Sequence, residues 1–156
     1  MDRAPRRLVL VRHAKAESGE EGADHDRRLT SRGERDADAT AGWLAGQVDV
    51  VDHVWVSSAR RAQQTWAALA RALPEPTDVV VDRALYLAGG RDVLEHLAAA
   101  DHAVSVLVGH NPTMEQVVMA LTGDLHGLKP AAAAVVELEA GQAWRGKLVE
   151  LWTPKR

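Results

Sequence analysis

The chain contains no cysteine and no phenylalanine, and only one tyrosine. The first absence excludes disulfides, thiol nucleophiles and cysteine-rich zinc sites. The second, with five tryptophans making up most of the aromatics, leaves a core to be built from Leu, Val and Ala. Charge of one sign is lacking as well. A net −3 over 156 residues gives no basic excess with which to bind nucleic acid or an anionic membrane. No apolar run approaches the roughly 20 residues a membrane helix needs. The opening MDRAPRR is followed by only four apolar residues, too few for the core of a signal peptide. The expectation is a cytoplasmic protein forming one domain over residues 1–156, long enough for a single core.

What is present is a series of short aliphatic runs alternating with helical periodicities. LVLV (8–11), HVWV (53–56), VVV (79–81) and VSVLV (104–108) suit strands buried on both faces. AVVELE (134–139) and KLVELW (147–152), separated by AGQAWRG (140–146), read as a hairpin at the edge of the sheet. Between the strands, Ala37, Ala41, Leu44 and Val48 share one helical face, with Ser31 and Glu34 as a capping box at its start. A second helix starts near Ser58 and buries Ala62, Trp66, Leu69 and Leu73; a third carries Val93, Leu94 and Leu97. The fourth has Asn111 as N-cap, Pro112 at its first position and Gly123 as its stop. This alternation predicts an α/β three-layer sandwich: a mainly parallel central sheet, helices on both faces and a C-terminal edge hairpin. Segment 15–29 reads as a loop and is expected to be mobile.

In an open parallel sheet, ligands gather beyond the carboxyl ends of the strands. LVLVRHA and VSVLVGHNP each run an aliphatic strand into a histidine, so His13 and His110 are presented from one edge. A third strand runs into SSARRAQQT, where Ser57 or Ser58 can cap a helix whose first turn holds Arg60 and Arg61. Arginines at an already positive helix end make sense beside an anion. With Arg12 they suit the oxygens of a phosphate. Beside such a bound phosphoryl group a neutral imidazole can act as nucleophile, its other nitrogen held as a donor. The second imidazole can donate to the equatorial oxygens. His25, His53, His96, His102 and His126 have no such setting and are assigned to surface or structural roles. The DHD triplet at 24–26 has no strand to fix its geometry, so no metal and no cofactor is expected.

LVRHAKAE, LTSRGERDA, VSSARRAQQT and VLVGHNPTME, in that order over residues 8–121, resemble the successive signatures of the histidine phosphatase superfamily. The short RHAKA form resembles its SixA-type phosphohistidine phosphatase branch. The resemblance implies that His13 becomes phosphorylated, that Arg12 and Arg61 bind the phosphate, and that His110 completes the pocket. It also implies an arginine just before the Leu-Thr pair, by spacing Arg27 with Arg28 as the neighbour, and leaves Arg60 outward. Ala14 replaces the glycine usual after the catalytic histidine. In DRALYLAGG (82–90), where many members carry a glutamate acid, only Asp82 is near. A site without a strong acid favours phosphoramidates, whose imidazole leaves more readily than an alkoxide. The expected partner is therefore a phosphorylated protein, with a small phosphate-containing substrate as the alternative. Two other readings stand beside it: a low-selectivity phosphomonoesterase using Asp82, Glu17 or another loop carboxylate as acid, and a phosphate-binding regulatory module without turnover.

Overall fold

In the computed structural model, which describes residues 6–19, 23–99, 102–139 and 142–155, strand β1 (Arg6–Arg12) sets the layout. Its side chains alternate between the faces of the sheet. Leu8 and Leu10 enter one core, Val9 and Val11 the other, and all four are fully buried. The first core is closed by α3 (Arg83–Leu87), α4 (Gly90–Ala99) and α5 (Thr113–Thr122). The second is closed by α1 (Ser31–Ala45) and α2 (Arg60–Ala70).

The remaining strands are β2 (His53–Ser57), β3 (Asp78–Asp82), β4 (Val104–Gly109), β5 (Ala133–Glu139) and β6 (Gln142–Trp152). They form a six-stranded sheet in the order β3-β2-β4-β1-β5-β6. The first four positions are parallel; β5 and β6 add antiparallel at one edge. The expected mixed sheet, flanking helices and terminal hairpin are all present. No helix among the described residues is long and apolar enough to cross a membrane.

Several boundaries differ from the expectations. Thr30, not Ser31, caps α1: it is extended, and its hydroxyl accepts from Gly33 N at 2.9 Å. Adjacent Thr and Ser offer the same chemistry, and the residue with extended backbone takes the role. Helix α2 starts at Arg60 after Ala59, while Ser57 Oγ turns back to accept from Ala59 N. Pro112 occupies the N-cap position of α5 after a cis Asn111–Pro112 bond. The Asn111 side chain, expected to cap, instead donates to the Leu128 carbonyl at 2.8 Å. Gly123 ends α5 as expected, in the left-handed conformation a C-terminal cap favours.

Strand β3 is not buried on both faces. Val79, Val80 and Val81 are 36–49% exposed because β3 is the edge strand. The hairpin connection is shorter than 140–146, since β6 begins at Gln142; residues 140 and 141 lie outside the described ones. The stretch 15–29 is partly structured by an Ala16–Leu29 bridge and a 3-10 turn, Asp24–Asp26, with residues 20–22 outside the described ones.

Candidate active site

Strands β1 and β4 are neighbours in register, with Arg12 opposite Gly109, so the residues that follow them emerge side by side. The His13 and His110 rings lie 5.1 Å apart, tilted by 59°. The backbone around the nucleophile candidate is gripped from both flanks: His13 N donates to Gly109 O, and Ala131 N donates to the carbonyls of Arg12 and His13.

His13 Nδ1 lies 2.8 Å from the Ala14 carbonyl. A carbonyl only accepts, so Nδ1 carries the proton and Nε2 keeps its lone pair. Arg61 Nε donates toward that lone pair at 3.4 Å. Burial above all, then His110, Arg61 and Arg12, push the His13 pKa down to about 3, against the partial support of the Ala14 carbonyl. The ring is neutral at neutral pH. His110 is likewise lowered, to about 4, by burial and by Arg61. Its Nδ1 accepts from Arg61 Nη2 at 3.4 Å, which places its proton on Nε2, donating to Ser57 Oγ at 2.7 Å.

Arg61, 5% exposed at the start of α2, therefore touches both imidazoles. The rest of its RAQQT motif fastens the loops around it. Thr65 Oγ1 accepts from Ala14 N and donates to Arg61 O, and Gln64 Oε1 accepts from Leu29 N. The Ala14 methyl is fully buried in a small cluster with Leu29, Ala37, Ala68 and Ala131. That cluster is why alanine is accommodated where the superfamily usually has glycine. Gly33 of α1 packs so closely on the Lys15 carbonyl that a Cβ there would collide with it. This contact sets α1 against the loop leaving His13.

Arg12, His13, Lys15, Arg27, Arg61, His110 and Asn111 line a single cavity of about 320 Å³. The expected residues thus converge, Arg27 among them. Arg28 instead points to Glu17 at 3.3 Å, and Arg60 is exposed. Arg12 Nη1 donates to Leu128 O, while its Nε is buried with no partner among the described residues. Arg12 as a residue lines the cavity, and a guanidinium there suits an anion's oxygens. Among the described residues no group of three or more potential ligands is placed to hold a metal ion.

Sequence reasoning missed Asp24. Its carbonyl accepts from Arg61 Nη1 at 2.7 Å, its Oδ2 from Arg61 Nη2 at 3.2 Å and from Tyr86 OH at 2.6 Å, and its Oδ1 from Arg27 Nε at 3.0 Å. The Tyr86 bond first, and the arginines after it, hold its carboxyl down at about 2. Tyr86 sits in α3, the short helix the sequence did not announce, with its ring 5.6 Å from His110. The acids considered earlier are taken up elsewhere. Asp82 caps α3 and accepts from Trp55 Nε1, which lowers its pKa, and Glu17 pairs with Arg28.

The comparisons agree with this geometry. Residues 8–86, just over half of the chain, match the model of the histidine phosphatase superfamily (branch 1). An uncharacterised Mycobacterium leprae protein is 38% identical over 103 residues, covering 65% of this chain and 62% of its own length. A crystal structure described as a candidate phosphohistidine phosphatase SixA from Agrobacterium tumefaciens superposes with TM-score 0.86 at 32% identity, covering 97% of this chain and all of that one. A protein histidine phosphatase SixA complexed with tungstate superposes with TM-score 0.84 at 25% identity, covering 95% and 97%. Four motifs in order, the convergence of three of them on one cavity and the match along almost the whole length lead to one conclusion: the chain belongs to the histidine phosphatase superfamily, among its SixA-type members.

Proposed function

We propose that the protein hydrolyses phosphohistidine on another protein through a covalent phosphohistidine on His13. The observation that carries this reading is the pinned tautomer: the Ala14 carbonyl holds the proton on Nδ1, and Nε2 is left unprotonated, its lone pair turned to Arg61. A neutral imidazole so oriented attacks phosphorus without first losing a proton. Arg12, Arg27 and Arg61 neutralise the phosphoryl oxygens. His110 helps once the arriving dianion draws a proton onto its Nδ1, which then donates to an oxygen in place of accepting from Arg61. Water attacking the His13 phosphoryl group completes the cycle.

The choice of substrate rests on the leaving group. Asp24 and Asp82 are held ionised by their donors, so neither supplies the proton an alkoxide needs. An imidazole leaves without that help. The test is phosphate release from a phosphohistidine peptide, an aryl phosphate and a sugar phosphate, by wild type and His13→Ala. Release mainly from the phosphohistidine, reduced more than about 10³-fold by the substitution, is expected. Faster turnover of the esters would establish a phosphomonoesterase, and tight phosphate binding without any release would establish a binding module.

A further inference from the structure

Asp24 is the part of the site that phosphate binding leaves unexplained. Its carboxylate does not line the cavity, yet it stands one guanidinium away from the nucleophile, because Arg61 bonds His13 through Nε and Asp24 through Nη2. An ionised carboxylate offers about four acceptor positions. Three are filled, two on Oδ2 by Tyr86 and Arg61 and one on Oδ1 by Arg27. The fourth, on Oδ1, has no partner among the described residues, and the side chain is 54% exposed. One acceptor position of a fixed anion is therefore open to an incoming group.

For a phosphate ester this anion has no use, since an alkoxide needs a proton and a carboxylate gives none. A phosphohistidine is different. Its free ring nitrogen titrates near neutrality, so the leaving ring arrives with an N–H and a positive charge. Resting on the phosphohistidine reading above, we infer that Asp24 is a specificity-determining residue, whose open Oδ1 position accepts the ring N–H of the leaving imidazole. Arg27, Arg61 and Tyr86 hold the carboxylate in place for it.

The step balances without a proton transfer. The lone pair of His13 Nε2 forms the new P–N bond. The old P–N bond breaks, and its electron pair returns to the substrate nitrogen. The substrate ring departs neutral, keeping its one proton on the nitrogen facing Asp24. His13 becomes the phosphorylated cation, with its Nδ1–H on the Ala14 carbonyl. The bond from the ring N–H to Asp24 is kept from the bound substrate through the transition state, so its contribution falls on KM, and on kcat/KM with it. It does not fall on the bond-breaking step itself.

The experiment compares kcat and KM of wild type, Asp24→Asn and Tyr86→Phe on a phosphohistidine peptide and on p-nitrophenyl phosphate, with melting curves to confirm folding. Loss of one charge-assisted hydrogen bond lowers the phosphohistidine-to-ester ratio of kcat/KM by about 10- to 100-fold in Asp24→Asn, mainly through KM. Tyr86→Phe removes one of the three holds on the carboxylate and lowers the ratio in the same direction by a smaller factor. Parallel losses on both substrates in Asp24→Asn, or an unchanged ratio, overturn the inference: Asp24 then only braces the two arginines. A wild type that does not prefer phosphohistidine overturns the proposed function itself, and this inference with it.

Discussion

The two ends of the parallel sheet each gather histidines around a carboxylate, and they use them oppositely. At the carboxyl end, His13 and His110 lie 5.1 Å apart with Arg61 reaching both, and neither ring bonds the other. At the amino end, His53 opens β2, Asp78 opens β3 and His102 precedes β4. There the rings satisfy one another. His53 Nε2 lies 3.2 Å from His96 Nε2, His53 Nδ1 lies 2.9 Å from Asp78 Oδ2, and His102 stacks on His53 at 4.5 Å. His96 in turn stacks on Trp55 at 3.8 Å. The residue types are nearly the same. At one end a single guanidinium between the imidazoles faces both lone pairs; at the other, stacking and mutual hydrogen bonds use up the same groups. What sets the two ends apart is the arginine between the rings, not the number of histidines.

The contrast breaks most visibly at Arg61. Replacement by Ala removes the one group joining both imidazoles, and kcat/KM on an aryl phosphate should fall by about 10²- to 10³-fold, the size expected for a preorganised charge contact. Steady-state kinetics decide it, and a loss under tenfold would mean that Arg61 is not central. His53→Ala should do the reverse. It should leave kcat alone while costing about 2–3 kcal/mol through a buried cavity and lost partners, roughly 5–10 °C in melting temperature. A fall in kcat at unchanged melting temperature would erase the contrast between the ends.

A titration sharpens it further. His13 has its pKa depressed from 6.5 to about 3, so between those values the unfolded chain binds more protons than the folded one. Stability gained from the neutral ring is therefore present above about pH 6.5 and declines as pH falls toward 3, by at most about 1.4 kcal/mol per pH unit. Denaturant melts at pH 7 and pH 5 should show a smaller acid loss in His13→Asn than in wild type. The smallest effect belongs to Asp78→Asn. Its carboxylate is half exposed, so weakening its bond to His53 should cost no more than about 1 kcal/mol, roughly 2–4 °C, with activity unaltered.

Most of the reactive centre was legible because it is local. A strand that runs into a histidine carries its own placement, and two such strands in a parallel sheet meet at one edge. The uninterrupted aliphatic run of β1 likewise announced a strand buried on both faces. What escaped reading is long-range or positional. Asp24 meets Tyr86 across 62 residues, from a polar turn to a helix of five residues, too short to show a period. The run Val79–Val80–Val81 encodes an extended chain but not its place at the sheet's edge, where it stays half exposed. Neighbouring Thr30 and Ser31 are chemically equivalent as caps, and only the backbone distinguishes them.

The bonding around His13 has a consequence for where the molecule yields. Its strand is interior, flanked by β4 and β5, and its own backbone is held by Gly109 and Ala131. Amides so placed exchange with solvent only through large-scale opening. The turn bearing Asp24 is held by side-chain bonds and by short local ones, Asp26 N to Ala23 O and Arg27 N to Asp24 O. Such amides exchange through local opening. Compliance is thus uneven across the site: the His13 backbone shares the rigidity of the sheet, while the turn at residues 23–28 opens locally.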